Sequence, residues 1–299
     1  MQLQYLDSCA STNDLLRELA GARGLQQPLL VCTDEQYGGR GTRGRSWQMQ
    51  RGQDLAFSLG LPLAEKQLPS PRLPLALSVI LAQILGNLIR EQWRAARLFR
   101  QEDDPGGDAQ ASPGERVTRA INQARDGLAL KLCAVKWPND LLLARPGTDG
   151  ELEHRKCGGI LVEHTRDCLL IGIGLNVNST ASDYGPGLMA QLTTVRDCCG
   201  LQLDREALFA GLAMRLFGKL VFNGILKGYT ALDDSAIREL EPAWRELDRT
   251  AGQRWKLQRD GRAIAVSATG VDFASGHLLV NDASGREYEI ESYSELESE

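Results

Sequence analysis

The sequence predicts an α+β protein that ends in a small β-barrel. Strand-length apolar runs alternate with helical patterns over most of the chain, the loops between the central runs are short, and short alternating strands separated by glycines follow Gly252. Short loops favour antiparallel pairing of neighbouring strands, and evenly spaced short strands are typical of small barrels. We therefore expect one domain over residues 1–250 and a barrel over residues 251–299.

The N-terminal third predicts three strands and two helices. Leu3–Leu6, Leu29–Thr33 and Leu55–Leu61 have the apolar composition of strands. Ser11 is a candidate helix N-cap, because its hydroxyl can accept a hydrogen bond from the first turn and leucines at helical spacing follow it. Pro74 predicts the start of a long helix, since a proline in the first turn loses no hydrogen bond.

The rest of the chain predicts a sheet, two helices and the barrel. An acidic stretch rich in Gly and Pro predicts a mobile insertion at about residues 100–130, with a short helix over Val117–Leu128. The spacing of leucines predicts helices over Asp204–Phe222 and Ser235–Leu247. The predicted strands are Leu132–Trp137, Leu141–Leu143, Ile160–Glu163 and Leu169–Val177 in the sheet, and Trp255–Leu257, Ala263–Ala268, His277–Val280 and Tyr288–Ile290 in the barrel.

Composition excludes several classes of protein. The most apolar stretch, Leu75–Ile89, is too short to cross a bilayer and contains Gln83 and Asn87, so we expect a buried helix and no membrane partner. A secretory leader is missing from the start of the chain, which predicts a cytoplasmic protein. The seven cysteines have neither a disulfide framework nor zinc spacing. A formal net charge of −5 argues against a general nucleic-acid coat.

A loop rich in glycine and arginine, Gly39–Ser46, follows the second predicted strand. It nearly fits the phosphate-binding pattern G-x-x-x-x-G-K-[ST], with Arg45 in the lysine position, but that pattern leads into a helix and this loop leads into a strand. An RNA-binding loop would need interleaved aromatic residues and basic surroundings, and only Tyr37 and Trp47 flank this one. We interpret it as a cationic loop that closes over an anionic ligand, with a solvated surface turn as the alternative.

Three further segments predict a binding site. Lys136–Asp140 ends a strand with a cation, a large flat ring, a rigid turn and a carboxylate, a cluster that packing alone rarely requires. In Lys156–Glu163 a lysine precedes a glycine pair, which indicates either close approach of a ligand to the backbone or a β-bulge. In Ile171–Asn178 glycines alternate with branched residues, so one face of that strand is bare and a ligand ring could lie against it.

Five of these segments, in this order, resemble the biotin protein ligases. They are STN at 11–13, EQYGGRGTRGRSW at 35–47, KWPNDLLL at 136–143, KCGGILVE at 156–163 and IGIGLNVN at 171–178. The segment GVDFASGHLLV at 270–280 is similar to part of the family's small barrel. The resemblance implies a mixed sheet with helices on one face and an SH3-like barrel. It also implies the enzyme-only type without an N-terminal DNA-binding domain, and hence no DNA partner.

The resemblance also implies a two-step reaction. ATP and Mg²⁺ convert biotin to biotinyl-5'-adenylate, and biotin is then transferred to a lysine of a biotin carboxyl carrier protein, a subunit of acetyl-CoA carboxylase. Catalysis would depend on Lys156, which holds the biotin carboxylate, and on Arg40, Lys136 and Asp140. Asp140 would bind the nucleotide or assist proton loss from the acceptor amine. By the same match biotin would bind to Ser11, Thr12, Asn13, Gln36, Gly39, Arg40, Gly41, Thr42, Lys156, Gly159, Gly172 and Gly174, and ATP to Arg40, Arg43, Trp47, Lys136, Asp140 and Asn176.

Two departures from the family pattern qualify these expectations. Thr42 stands where the family loop carries an arginine, so we predict that the adenylate is held less tightly and that Arg43 or Arg40 compensates only in part. Glu291–Glu295 lacks the glycine and the arginine with which the family's barrel commonly ends, so the sequence does not predict a barrel contact to ATP.

Three alternative functions stay open. A lipoate-type acyl ligase would share the fold and the activation step. A non-catalytic biotin-binding protein would bind biotin without turnover, and an RNA-binding loop would show salt-dependent retention of RNA. Biotin-dependent pyrophosphate exchange separates the two ligases from the non-catalytic biotin-binding protein.

Overall fold

A mixed sheet of seven strands forms the centre of the protein. The computed structural model describes residues 1–63, 70–100, 132–146, 152–221, 225–227, 231–259 and 261–298. The strands of this sheet are β1 (Gln2–Leu6), β2 (Leu29–Thr33), β3 (Leu55–Pro62), β4 (Cys133–Lys136), β5 (Asp140–Pro146), β6 (Leu152–His164) and β7 (Cys168–Leu175). They lie in the order β1-β2-β3-β7-β6-β5-β4, in which β1 and β2 are parallel and the other neighbours antiparallel. The mixed sheet and the antiparallel pairing of its last four strands are confirmed.

Helices cover both faces of this sheet. The described helices are α1 (Thr12–Arg23), α2 (Leu73–Arg100), α3 (Pro186–Met189), α4 (Val195–Cys199), α5 (Arg205–Val221), α6 (Asp234–Arg238) and α7 (Glu241–Leu247). The long helices α2 and α5 pack together on the face that Leu30 and Phe57 occupy, as expected. On the opposite face Leu16 of α1 packs against Leu29 and Val31, because successive side chains of β2 point to opposite faces. The expected one-sided arrangement therefore describes the long helices, whereas α1 lies on the other side.

The start of α1 is fixed as the sequence predicts. Ser11 has extended backbone angles, and its Oγ accepts a hydrogen bond from the backbone N of Asp14 at 3.4 Å. Gly24 ends the helix with a φ of 67°, a left-handed conformation that glycine adopts without strain. The short loop before α1 thus brings Ser11, Thr12 and Asn13 over the sheet.

One predicted helix is wrong, and another prediction lies outside the described residues. The single helix predicted over Ser235–Leu247 is wrong, because α6 ends at Arg238 and α7 begins at Glu241. Pro242 in the first turn of α7 explains the break, since a proline ring clashes with the preceding turn of a continuous helix. The predicted insertion at about residues 100–130 and the helix over Val117–Leu128 lie outside the described residues, apart from the end of α2 at Arg100.

The C-terminal strands form a separate antiparallel sheet with one strand more than predicted. After a short hairpin of β8 (Leu226–Lys227) and β9 (Ala231–Leu232), its strands are β10 (Arg254–Arg259), β11 (Arg262–Asp272), β12 (His277–Asp282), β13 (Glu287–Ile290) and β14 (Leu296–Ser298). They lie in the order β13-β12-β11-β10-β14. The unpredicted strand is β14, which has only three residues. Buried side chains of this sheet, such as Leu257, belong to the same hydrophobic core as those of α2.

The apolar helix and the cysteines belong to the protein interior. By length and composition alone Leu73–Gln92 could cross a membrane, but 78% of this window is buried inside the fold, as in the core helix of a water-soluble protein. All seven cysteines are free thiols, and all except Cys9 are buried. Burial raises the pKa of Cys32 to about 11, with a smaller contribution from the charge of Asp34, so this thiol is protonated at neutral pH.

The core makes one prediction about stability. Phe57 is 1% exposed, and its ring meets that of Phe209 edge-on at 5.3 Å. We expect Phe57→Ala to lower the free energy of unfolding by about 3–5 kcal/mol, because the substitution leaves a cavity between the sheet and α5. Urea titration would measure this loss. Met214→Ala, at a side chain of α5 that is 61% exposed, is the control, and an equal loss in both variants would contradict the assignment.

Candidate active site

Glycines of β6 and β7 form the floor of a cavity on the α1 face of the sheet. Gly159 pairs with Gly174, and Gly172 pairs with Leu161. A Cβ atom at Gly172 would lie 2.5 Å from Asn13 Oδ1, and one at Gly174 would lie 2.7 Å from Trp47 Nε1. Only glycine therefore allows the start of α1 and the Trp47 ring to approach the sheet this closely.

One end of this cavity is a buried polar cluster. The backbone N and Oγ1 of Thr12 both donate to Gln36 Oε1, at 2.7 and 3.1 Å. Ser58 of β3 lies beneath them, with its Oγ 2.7 Å from Thr12 Oγ1 and 2.5 Å from Asn13 Oδ1. These fixed amides and hydroxyls give the cavity a directional polar end.

Arg40 lies at the edge of the same cavity, where it forms ion pairs with two carboxylates. Its Nη2 lies 2.6 Å from Asp14 Oδ1 and 3.1 Å from Glu163 Oε2. Arg17 contacts the same two carboxylates, at 2.5 and 2.7 Å. Partial burial acts to lower the pKa of Arg40, but the charges of Glu163 and Asp14 outweigh it and raise that pKa. In this arrangement the guanidinium of Arg40 is held by protein carboxylates.

A β-bulge brings Lys156 into the cavity. Leu141 pairs with Gly158 and Leu142 with Lys156, so Cys157 has no partner on β5. The extra residue changes the alternation of side chains along β6. Lys156 consequently shares the face of Gly159, where its Nζ would lie 3.7 Å from an added Cβ, while Cys157 is completely buried. The glycine pair thus accompanies both a bulge and a cavity.

One carboxylate links two lysines next to this bulge. Lys136 and Asp140 face each other at the ends of the tight turn between β4 and β5. Asp140 Oδ1 lies 2.5 Å from Lys156 Nζ, and its Oδ2 lies 3.6 Å from Lys136 Nζ. The Asp140 side chain is only 14% exposed, so both attractions act in a poorly screened environment. This carboxylate holds two cations side by side.

Two adjoining cavities share several lining residues, among them Lys156. The glycine-floored cavity has a volume of about 50 Å³, and the neighbouring cavity has a volume of about 220 Å³. The first by itself has room for only a few waters. The second is lined by Lys136, Asp140 and Asn176. Both cavities are lined by Gly41, Thr42, Trp47, Asn139 and Lys156.

Trp47 presents an unused donor at this boundary. Its Nε1 is buried, and no hydrogen-bond partner for it lies among the described residues. A buried indole N–H usually finds an acceptor. A ligand that lies across the boundary could supply that acceptor.

Sequence reasoning missed a buried anchor behind the second cavity. Asp54 is fully buried and accepts hydrogen bonds from the backbone N of Val177 at 2.9 Å, from Ser179 Oγ at 2.6 Å and from the Tyr184 hydroxyl at 2.5 Å. The Tyr184 oxygen lies 3.2 Å from Asn176 Oδ1. Burial and the charge of Asp54 raise the pKa of Tyr184 far above its usual value. The signal was an acid directly before a strand that is apolar except for Ser58, because an acid that such a strand buries rarely lacks hydrogen-bond partners.

The structure brings most of the predicted site residues together. Every residue predicted for biotin lines the first cavity except Gly39, which lies against Trp47 and Gln36. Of the residues predicted for ATP, Arg40 lines only the first cavity, and the side chain of Arg43 lies outside the described part of the structure. Those that line the second cavity are Trp47, Lys136, Asp140 and Asn176.

Comparisons with known proteins agree with this fold. A family model described as the biotin/lipoate A/B protein ligase family matches residues 5–178. This match covers more than half of the chain, so the chain belongs to this family. It is 24% identical over 235 residues to the bifunctional ligase/repressor BirA of Bacillus spizizenii, a match that covers 77% of this chain and 57% of that relative.

Solved structures show the same fold over nearly the whole chain. A variant of the biotin protein ligase of Aquifex aeolicus in complex with biotin has a TM-score of 0.65 and 21% identity, covering 99% of this chain and 97% of that chain. The biotin protein ligase of Leishmania major in complex with biotinyl-5-AMP has a TM-score of 0.56 and 22% identity, covering 97% of this chain and 98% of that chain. The mixed sheet followed by a barrel-like domain is therefore the fold of these ligases.

The buried anchor makes a second prediction. We expect Asp54→Ala to lower the free energy of unfolding by about 3 kcal/mol or more, because it leaves several buried donors without an acceptor. Asp167→Ala removes a carboxylate that is 55% exposed and is expected to change stability by less than about 0.5 kcal/mol. Urea titration of both variants checks this difference, and similar stabilities would refute it.

Proposed function

We propose that the protein is a biotin protein ligase, which activates biotin with ATP to biotinyl-5'-adenylate and transfers biotin to a lysine of a carrier protein. The observation that carries the proposal is the position of Lys156, which lines both cavities. An ammonium group at that boundary can hold an acid carboxylate beside the α-phosphate of a nucleotide. Both reactants of the first step then lie next to each other, which removes most of the entropic cost of their encounter.

The glycine-floored cavity suits biotin. A fused ring can lie against a wall without side chains, and the polar cluster of Thr12, Asn13 and Gln36 offers donors and acceptors to a ureido group. The ring of lipoate has no ureido group, so it would form no such hydrogen bonds with this cluster. The valeryl chain then directs the carboxylate to Lys156.

The second cavity suits ATP. In the first step a carboxylate oxygen of biotin attacks the α-phosphorus, an acyl–phosphate bond forms, and the bond to the β-phosphate breaks with release of pyrophosphate. Lys136 and Lys156 offset the negative charge that develops, and Asp140 keeps the two ammonium groups side by side. Asn176 provides an amide for the adenosine end. For Arg40 to contact the phosphates as predicted, its guanidinium must break its ion pairs with Asp14 and Glu163.

Magnesium fits this site mainly through the nucleotide. Among the described residues no group of three or more His, Cys, Asp or Glu side chains is arranged to hold a metal ion, and Asp140 is the one carboxylate there that lines the second cavity. Mg²⁺ commonly takes one carboxylate and several phosphate oxygens or waters. When bound, the ion supplies further positive charge at the phosphates, and Asp140 is the side chain that would hold it.

In the second step the amine of a carrier lysine attacks the acyl carbon. An amide bond forms, the acyl–phosphate bond breaks and AMP leaves with its electron pair. The amine is protonated in water and must lose a proton before it attacks. We assign to Asp140 the role of orienting that amine and receiving its proton, because it lies beside Lys156 where the acyl group ends.

We further propose that the acceptor is a biotin carboxyl carrier protein of acetyl-CoA carboxylase and that the reaction takes place in the cytoplasm. The family membership of the chain supports the carrier, and the seven unpaired thiols suit a reducing compartment. The curated relative is both ligase and repressor, and this chain spans 57% of its length.

Pyrophosphate exchange tests the function. Purified protein would be incubated with ATP, labelled pyrophosphate and either biotin, lipoate or no acid. Exchange with biotin alone, followed by one biotin-sized mass gain on an added carrier domain, is the expected result. Exchange with lipoate alone would identify a lipoate-type ligase, and biotin binding without exchange would identify a non-catalytic binder.

Lys156 makes the third prediction. Lys156→Met keeps the apolar stem but removes the ammonium group, and a charge-assisted hydrogen bond contributes about 1.5–3 kcal/mol. We therefore expect the dissociation constant for biotin, measured by calorimetry, to rise about 10- to 100-fold. Lys219→Met, at an exposed position of α5, should bind biotin as the unmodified protein does. Unchanged binding by Lys156→Met would refute the role of this lysine.

Thr42 makes the fourth prediction. It lines both cavities, so an arginine there would reach the phosphate of a bound adenylate. We expect Thr42→Arg to lengthen the half-life of the bound adenylate at least about 10-fold, since one more cation contacts the phosphate. Thr269→Arg adds the same charge to the barrel and serves as the control. A half-life unaffected by Thr42→Arg would show that this position does not set adenylate retention.

A further inference from the structure

A turn of the barrel is seated against the catalytic domain next to the β4–β5 hairpin. Gly276 in this turn has a φ of 80°, and a Cβ atom there would lie 2.8 Å from the carbonyl oxygen of Pro71. The ring of Phe273 from the same turn lies 6.2 Å from that of Trp244 in α7. The turn therefore fits closely between the start of α2 and α7.

Trp137 is bound to this C-terminal region through both of its N–H groups. Its indole Nε1 donates to the carbonyl oxygen of Gly276 at 2.9 Å, and its backbone N donates to Thr250 Oγ1 at 2.9 Å. Thr250 is fully buried and donates in turn to the Asp248 carboxylate. The Trp137 side chain is only 2% exposed, so water does not compete for either hydrogen bond.

The same tryptophan begins the turn that carries two charged residues of the nucleotide cavity. Lys136 precedes it, and Asp140 ends the turn opposite Lys136. At the far end of the turn, Asn139 and the backbone of Ile160 exchange two hydrogen bonds. One end of the turn is thus fixed by β6 and the other by the C-terminal region.

We propose that Trp137 is a positioning residue through which the C-terminal barrel fixes Lys136 and Asp140 at the nucleotide cavity. Packing alone holds an indole ring, but a directed hydrogen bond also fixes its orientation and, through it, the backbone of the adjacent lysine. The barrel then influences the activation step without touching ATP. This inference rests on the proposed function for its kinetic consequence only, since the contacts themselves are independent of it.

Two tryptophans of the same junction allow a matched test. Trp137→Phe keeps an aromatic ring but removes the indole N–H that Gly276 accepts. Trp244→Phe removes an indole whose Nε1 is buried without a hydrogen-bond partner among the described residues. We expect Trp137→Phe to lower kcat of pyrophosphate exchange on the order of 10-fold, because small misplacements of catalytic groups slow reactions strongly. Trp244→Phe should lower kcat less than about two-fold at a similar loss of thermal stability.

A second pair of variants, at two glycines of the barrel, tests the same coupling if Trp137→Phe folds poorly. Gly276→Ala introduces a Cβ that collides with Pro71, whereas Gly285→Ala introduces one into open space at nearly the same backbone angle, with φ of 80° and 84° respectively. Both variants carry the same backbone strain. We expect only Gly276→Ala to lower kcat, with the dissociation constant for biotin within about three-fold of normal in both.

Hydrogen exchange of residues 136–140, followed by mass spectrometry, supplies a readout without substrates. Faster exchange there in Trp137→Phe than in Trp244→Phe supports the coupling, even if the unmodified protein shows no exchange of pyrophosphate and the proposed function fails. Equal exchange and equal kcat in the two tryptophan variants would overturn the proposal. A kcat that follows thermal stability in all four variants would assign Trp137 a purely structural role and would also overturn it.

Discussion

The site depends on one extra residue in β6. Because Cys157 has no partner on β5, the side chains before and after it no longer alternate, and Lys156 faces the same side as Gly159. In a regular strand these positions, three apart, would face opposite sides of the sheet. The ammonium group would then point away from the glycine floor, and the two cavities would share no cation. The bulge also turns Cys157 inward, where burial raises the pKa of its thiol far above the usual value.

The charged side chains of the site form ion networks, in which each contacts at least one side chain of opposite charge. Asp140 contacts two lysines, while Arg40 is held between Asp14 and Glu163. Such an arrangement keeps several charges in a half-buried cleft, because each has an opposite partner within reach. Under the proposed function, an anionic ligand would take the place of a carboxylate as the partner of a cation.

The barrel is part of the same folded core as the seven-stranded sheet. Leu257 and Trp255 share a continuous hydrophobic cluster with Trp244 and Trp137, and the hydrogen bonds of Trp137 and Thr250 cross the same junction. Apolar contact supplies most of the attraction between the two sheets, while directed hydrogen bonds determine how they are oriented. Tryptophan suits this position because it combines a large apolar ring with one donor. A segment of the sequence that resembles a ligand-binding motif thus also connects the barrel to the seven-stranded sheet.

The sequence by itself determined most strands and helices, the cap at Ser11 and many of the residues that line the cavities, because these depend on local periodicity, turn chemistry and short motifs. It could not determine the added strand β14 or the buried role of Asp54, since each depends on partners distant in the chain. The break between α6 and α7, by contrast, has a local cause in Pro242. Gly159 and Lys156 were predicted to lie near a ligand, but the bulge that puts them on one face depends on how β6 pairs with β5. Local pattern encodes what a segment prefers. Only tertiary packing decides which preferences can be satisfied together, because each buried polar group must find its partner in the folded chain.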